Sequence, residues 1–295
     1  MNKISKISLA IVISTFFLIF FIKDILYFLK SINITQINLF LIILASLFYL
    51  LNFLFRSLRF SIILNKEHFN TFKIFSISQF LSTILPLRLG DLYLAKLKDE
   101  NTHYNKIIKT YIYVKILDFF AIIPMIILIF CIIKFKILLL PITIYIIYLI
   151  LFPIFIYKIL YKKLIIKIKK IDLNIFENNK YIVWILTNIN WFSANIYSIL
   201  LINSINKLYP LTNLEVLFSN LSMILGGMMP IPSIGGYGIL EIIWTAGSRI
   251  IGVENLNHSF SIAFFTHTFA LILGFLLYLS IIINLNINFK NIYKK

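Results

Sequence analysis

Residues 107–133 read IIKTYIYVKILDFFAIIPMIILIFCII. A helix of this length and apolar character can cross the hydrocarbon core of a bilayer, which is about 30 Å thick. Lys115 and Asp118 interrupt the apolar run, and Asp118 would lie about 16 Å from the start of the helix, near mid-bilayer. A lone charge there costs roughly 3 kcal/mol on the insertion scale, so we expect the two side chains to pair on one helix face. Such a pair is either purely structural or lines a polar path through the membrane.

The remainder of the chain is also dominated by apolar runs. Of its 295 residues, 60% are hydrophobic and 13% are charged, whereas roughly a quarter of the residues in a soluble domain are charged. We therefore predict one all-α, polytopic membrane domain over residues 1–295. The predicted spans are residues 4–22, 37–55, 107–133, 137–157, 181–203 and 260–285.

Two further apolar segments are broken by proline and glycine. Residues 72–90 contain Pro86 and Gly90 near their end, and residues 214–251 contain a Pro- and Gly-rich stretch in their middle. Proline interrupts a helix and glycine permits a turn. Each segment is therefore expected to reverse direction inside the bundle.

Loop charges predict the orientation. Lys and Arg are concentrated on both sides of residues 72–90 and again in residues 158–180. The positive-inside rule places these loops and both termini in the cytoplasm, in a protein of the cytoplasmic membrane. Each broken segment then starts and ends on one side, 72–90 on the cytoplasmic side and 214–251 on the outer side. The chain thus predicts six full spans and two re-entrant hairpins, in inverted halves at about 1–135 and 136–295.

Arg56 and Arg59 form the first candidate substrate-binding pair. They lie three residues apart and share one helix face. The planar guanidinium binds phosphate through two parallel hydrogen bonds, which Lys cannot do. The alternative is a pair of interfacial side chains that only sets the topology.

Arg88 and Asp91 form the second candidate pair, beside the break made by Pro86 and Gly90. Non-helical backbone is tolerated at membrane depth only where protein or a water-filled cavity satisfies its polar groups. The two charges are therefore predicted to line a polar cavity. An ordinary surface loop with a capping aspartate is the alternative.

The turn of the second broken segment is the third candidate site. Its special residues are Pro230, Pro232, Gly235, Gly236 and Gly238. Free backbone N–H groups at a glycine-rich helix start bind anions. Glu241 would then occupy the first helical turn, where the helix dipole favours a carboxylate.

Several other functions lack the residues that they require. The four histidines have no metal-ligand spacing, and neither a nucleotide-binding Gly-Lys-Ser/Thr motif nor a nucleophile motif occurs. The net charge of +17 is spread over the loops rather than gathered on one basic face, so nucleic acid is not an expected partner. We predict no metal, no cofactor and no catalytic residue.

Four short motifs, in their order and spacing, resemble the transmembrane region of lysylphosphatidylglycerol synthase. They are Arg56-Ser57-Leu58-Arg59, Leu85-Pro86-Leu87-Arg88-Leu89-Gly90-Asp91, Lys115-Ile116-Leu117-Asp118, and residues 230–241 followed by Gly252-Val253. The resemblance covers about residues 50–285. It implies a flippase-like membrane domain, which in this family also occurs without the aminoacyltransferase domain.

The chain departs from the family pattern at two places. The family usually has Glu-Arg where this chain has Val114-Lys115, and an Arg commonly follows the glycine–acid pair where this chain has Leu94. Both changes affect bidentate recognition of a headgroup. Lysyl transfer is not carried over, because the resemblance covers only the membrane region.

The resemblance and the charges together predict a protein that binds or translocates a phosphate-bearing lipid headgroup. Arg56, Arg59, Arg88 and Lys115 would receive the phosphate, and Asp91, Asp118 and Glu241 would hold these cations in place. One alternative is a component of a lipid or polyprenyl-phosphate glycosyltransferase. Another is a scaffold for a separately encoded lipid-modifying enzyme.

Overall fold

The computed structural model describes residues 37–100, 102–136, 138–160, 174–205, 211–228 and 235–292. This part of the chain is helical and contains no β-strand. Its elements are α1 (Leu39–Leu64), α2 (His68–Ile84), a 3-10 segment (Pro86–Leu97), α3 (Tyr104–Phe135), α4 (Leu139–Leu160), α5 (Asn174–Asn203), α6 (Asn213–Gly227), α7 (Ile239–Ile251) and α8 (Leu256–Ile292). The predicted span 4–22, Pro230 and Pro232 lie outside the described residues.

Four of the helices are long and apolar enough to cross a membrane: α1, α3, α5 and α8. A fifth, α4, is apolar over the shorter stretch Leu139–Phe155. Large apolar side chains such as Ile43 and Leu139 are 63% and 78% exposed on the outside of the bundle, whereas Ser78 and Asn190 are fully buried inside it. An apolar exterior around a polar interior is the distribution that a lipid environment favours.

The first hairpin comprises residues 68–97 and reverses at Leu85–Arg88. Leu87 and Arg88 adopt left-handed backbone conformations with φ of 58° and 56°, and the chain then returns along α2 as a 3-10 helix. Lys66 and Asp99 form an ion pair at its open end, so both ends of the hairpin lie together as predicted. The hairpin is longer than the predicted 72–90. Every third residue of a 3-10 helix lies on the same face, and Leu94 and Leu97 continue the buried face of this segment.

Helices α6 and α7 form the two limbs of the second hairpin, and residues 229–234 between them lie outside the described part of the chain. The limbs pack closely because Gly226 faces the side chain of Ile243, and Gly247 faces Ser222 and the backbone of Ser219. Glycine at such a contact lets two helices approach to backbone distance.

Helices α1 and α5 lie antiparallel and fix the direction of both hairpins. The backbone N–H of Asn38, before α1, donates to the carbonyl of Ser204, after α5, over 3.1 Å. Towards the other end of α1, Arg59 donates to Thr187, in the first half of α5. The first hairpin follows the carboxyl end of α1 and the second follows the carboxyl end of α5, so the hairpins enter the bundle from opposite ends.

The tips of the two hairpins meet inside the bundle. The backbone N–H of Gly235 donates to the carbonyl of Ile84 over 3.1 Å, and Arg88 donates to the carbonyl of Gly227 over 2.7 Å. This arrangement supports the division into inverted halves at about 1–135 and 136–295, which stays a prediction.

The contact between the limbs of the first hairpin predicts a steric effect at Gly90. A Cβ atom there would lie 2.1 Å from the backbone nitrogen of Ser82 and 2.3 Å from the carbonyl carbon of Leu81. Because backbone cannot move aside cheaply, Gly90→Ala should reduce the free energy of unfolding by about 1–3 kcal/mol or more. Thermal unfolding in detergent measures this change. Gly227→Ala is the matched control, since its Cβ would make only an ordinary 3.4 Å contact with Leu240; equal melting temperatures for the two variants would contradict the close packing.

Candidate functional site

A cavity of about 260 Å³ lies where the hairpin tips meet. Its walls come from α1, α3, α5, α8 and both hairpins. Three cationic side chains line it: Arg56 from α1, Arg88 from the first hairpin and Lys115 from α3. Gly235 and Gly236 of the second hairpin complete one wall. The structure thus brings together five of the residues that were predicted to bind a substrate.

Arg56 is only partly satisfied by the protein. One of its terminal nitrogens donates to Gln79 over 3.2 Å, and its guanidinium lies 4.7 Å from the centre of the Trp191 ring. Its buried Nε has no hydrogen-bond partner among the described residues, which also holds for the Nε of Arg59. Arg56 therefore makes fewer hydrogen bonds to the protein than its five donors allow.

Lys115 also lacks an anionic partner. Its Nζ lies 5.4 Å from the centre of the Tyr111 ring, and no carboxylate of the described residues forms an ion pair with it. The predicted pairing of Lys115 with Asp118 is therefore wrong. The physical reason is that Asp118 is engaged by Arg59, whose guanidinium reaches it from α1.

Arg59 and Asp118 form a buried ion pair outside the central cavity. Their nitrogen and oxygen atoms are 2.5 Å apart, and their side chains are 1% and 3% exposed. Asp118 also accepts from the indole of Trp191 over 3.0 Å, and Arg59 donates to Thr187 over 3.0 Å. The pair links α1, α3 and α5, so Arg59 holds the helices together, and it is not among the described residues that line the cavity.

Arg88 and Asp91 pair within the first hairpin, as expected for a carboxylate that positions a cation. Arg88 Nε donates to Asp91 over 3.1 Å. Asp91 is fixed in turn by hydrogen bonds from Ser82 at 2.6 Å and from the hydroxyl of Tyr111. Because Arg88 also donates to the carbonyl of Gly227, it connects the two hairpins.

Glu241 forms no ion pair with Arg56, Arg88 or Lys115, the cavity cations that it was predicted to hold; its side-chain partner is His267, which also lines the cavity. One carboxylate oxygen accepts from the backbone N–H of Gly238 over 2.6 Å, and the other lies 2.6 Å from Nδ1 of His267. It sits in the first turn of α7, as predicted, where the helix dipole favours it. Because the Gly238 N–H is already occupied, the predicted anion site at this helix start is partly filled by the protein's own carboxylate.

The glycines of this turn are required by the backbone. Gly235, Gly236 and Gly238 have φ of 65°, 78° and 86°, a region that other residues adopt only with strain. A Cβ on Gly236 would also lie 2.6 Å from the side chain of Leu240. These two requirements explain the glycine pattern without any ligand.

Sequence reasoning missed several polar residues of the cavity. Gln79 hydrogen-bonds both Arg56 and Asp91. The ring of Trp191 lies against Arg56, and its N–H donates to Asp118. Asn52 and Asn220 also line the cavity. Polar residues in a predicted span were the available signal, since such residues face the bundle interior. Among the described residues no group of three or more His, Cys, Asp or Glu side chains could hold a metal ion.

A comparison with protein-family models matches residues 7–277 to the lysylphosphatidylglycerol synthase transmembrane region. The chain belongs to this family. Membership confirms the resemblance stated from the four motifs, and together with the apolar helices it identifies the chain as a multi-pass membrane protein related to membrane lipid. No curated protein and no solved structure matches the chain significantly.

The Arg59–Asp118 pair predicts strong coupling between two family-motif positions. Replacing one partner strands the other charge in the apolar bundle, so Arg59→Leu or Asp118→Leu should each reduce the free energy of unfolding by about 3–5 kcal/mol. The double variant leaves neither member of this pair as an unpaired charge, so its free energy of unfolding should fall by much less than the sum of the two single-variant losses. Equilibrium unfolding of all four proteins in detergent gives the coupling energy. Strictly additive losses would mean that the two side chains do not interact.

Proposed function

We propose that this protein binds the phosphate of a lipid headgroup in the central cavity and passes the headgroup across the cytoplasmic membrane. The observation that supports the proposal best is the set of three cations, Arg56, Arg88 and Lys115, around one polar cavity inside an apolar bundle. A charge inside a membrane protein is costly unless it has a partner, and unpaired ones mark substrate or ion pathways.

The chemistry of the three cations suits a phosphate. A phosphate oxygen accepts several charge-assisted hydrogen bonds, and the planar guanidinium of an arginine can donate two of them in parallel. Arg56 and Lys115 are the two cations that lack a carboxylate partner among the described residues. An incoming phosphate would supply the missing negative charge to both.

The hairpins are suited to control access from the two sides. They enter the bundle from opposite ends and touch at their tips, through the Gly235–Ile84 backbone hydrogen bond and the Arg88–Gly227 contact. In transporters built from inverted repeats, the site lies at the repeat interface near the midplane, and one repeat moves against the other around it. We propose that the first hairpin faces the cytoplasm, together with both termini, and that the second faces outward.

The proposal predicts that Lys115 is needed for lipid movement. In Lys115→Met, the rate of phospholipid translocation should fall about tenfold or more, since a hydrogen bond to a charged group contributes about 1.5–3 kcal/mol. The measurement uses proteoliposomes with a phospholipid labelled in its tail and a quencher added to the outer leaflet.

Lys134→Met is the matched control. It removes one lysine from the same helix, but Lys134 is exposed and does not line the cavity, so the rate should stay at the wild-type value. Equal rates for Lys115→Met and the wild-type protein, both above empty vesicles, would contradict the role of the cavity. A wild-type rate no higher than that of empty vesicles would contradict translocation and favour a scaffold for another enzyme.

A further inference from the structure

Glu241 and His267 form a buried acid–base pair at the wall of the central cavity. Their side chains are 0% and 8% exposed, and Nδ1 of His267 lies 2.6 Å from a carboxylate oxygen of Glu241. His267 lines the cavity. Phosphate binding by the three cations makes no use of this pair, yet Glu and His side chains inside the membrane serve as proton carriers in many transport proteins.

The hydrogen bonds of the pair define where a proton can be added. The second carboxylate oxygen of Glu241 accepts from the backbone N–H of Gly238 over 2.6 Å, and the start of α7 stabilises a negative charge there. A charged carboxylate accepts from the Nδ1–H of His267, which leaves the lone pair of the neutral ring on Nε2. One added proton therefore changes the pair from one negative charge to none, whichever residue carries it.

The imidazole ring also contacts the turn of the second hairpin. Its centre lies 4.7 Å from that of the Tyr237 ring, and a Cβ on Gly236 would lie 3.3 Å from its Cε1 atom. The hydroxyl of Tyr237 is bonded to Thr268, in the same helix as His267. A change of charge on the pair thus acts on both the cavity and the hairpin that closes one side of it.

The charged groups that face the pair across the cavity are cations. Besides His267, the charged or titratable side chains of the described lining are Tyr49, Arg56, Arg88, Lys115 and Tyr197. Arg88 is paired with Asp91, whereas Arg56 and Lys115 have no carboxylate partner in the described part of the chain. A negative pair at the wall repels an incoming phosphate, and a neutral pair does not. Proton binding and phosphate binding therefore strengthen each other.

We propose that the Glu241–His267 pair is a proton-binding site and that one proton crosses the membrane with each anionic headgroup. This inference rests on the proposed function and names the ion that is coupled to the same cavity. The proton enters from the water on one side and leaves to the water on the other. Because it offsets the single negative charge of a phosphodiester, the loaded site has the same net charge as the empty one, and the membrane potential does not oppose the passage.

Proton uptake on binding tests this linkage in the wild-type protein. Phosphatidylglycerol in detergent is the probe, since it has no group that titrates near neutral pH and any proton exchanged belongs to the protein. Calorimetric titrations in buffers of different ionisation enthalpy count the protons. The uptake should approach one proton per lipid, and the Kd should rise about tenfold or more between about pH 5 and about pH 8. Binding without proton uptake anywhere in this range would overturn the inference and leave the proposed function standing.

Three variants assign the uptake to the pair. His267→Gln removes the proton acceptor, so the uptake and the change of Kd with pH should both disappear. His103→Gln is the matched control, because His103 is exposed and does not line the cavity, and it should take up protons as the wild type does. Lys115→Arg fixes the charge of the other amine of the cavity. Uptake that is lost in Lys115→Arg but kept in His267→Gln would overturn the assignment.

A second carboxylate variant covers the case in which His267→Gln does not fold. Glu241→Gln keeps an oxygen that can accept from the Gly238 N–H but removes the negative charge, so it should abolish the proton uptake as well. Uptake at the wild-type level in Glu241→Gln would overturn the role of the pair.

A pH gradient tests whether the proton crosses with the lipid. The protein is reconstituted in phosphatidylcholine vesicles that contain a trace of tail-labelled phosphatidylglycerol. The label should accumulate in the leaflet on the alkaline side, severalfold above empty vesicles with the same gradient, whereas His267→Gln should distribute it evenly. An even distribution by the wild-type protein, reached faster than in empty vesicles, would overturn the coupling but not translocation. No movement above empty vesicles would instead overturn the proposed function.

Discussion

The ion pair between Arg59 and Asp118 sets the register of the bundle. It joins α1 to α3, and its bonds to Thr187 and Trp191 add α5. Because both charges are almost completely buried, the three helices cannot slide past one another without separating an ion pair inside an apolar medium. This level also fixes the positions of Arg56 and Lys115, which lie three residues from the pair on the same helices.

The same register explains why the cavity is positively charged. Arg56 lies three residues before Arg59, and Lys115 lies three residues before Asp118, so each shares a helix face with one member of the ion pair. Arg59 neutralises Asp118, which leaves Arg56 and Lys115 without that carboxylate as an ion-pair partner. Trp191 contacts both groups, since its N–H bonds Asp118 while its ring lies against Arg56. The positive charge of the cavity is thus what remains beside a neutral pair.

The all-helical membrane character and the points where the chain reverses could be predicted from sequence because they depend on local properties: apolar length, proline and glycine. Arg88 and Lys115 became candidates for a similar reason, since charges are conspicuous in apolar segments, and both line the cavity. The pairing of charges could not be predicted. Lys115 and Asp118 share a face of α3, but an arginine from α1 reaches the carboxylate, and one of its terminal nitrogens donates to Asp118 and to Thr187 at once. Glu241 was misassigned because one partner, the backbone N–H of Gly238, belongs to the start of its own helix, and the other, His267, is reached only when α7 and α8 pack together.

On the proposed function, binding and opening are connected through Arg88. In the described part of the chain this side chain bonds Asp91 in its own hairpin and the carbonyl of Gly227 in the other, and it also lines the cavity. A phosphate that binds Arg88 competes with the Gly227 carbonyl for the same donor. A carbonyl without a hydrogen-bond partner at membrane depth is unfavourable, so the hairpin tip would have to move until this carbonyl reaches water or another donor. A ligand shifts a conformational equilibrium only by its difference in affinity between the two states. On the proposed function, an anion that contacts Arg88 provides this difference in affinity. The same guanidinium holds the hairpin tips together when the site is empty and holds the headgroup when the site is filled.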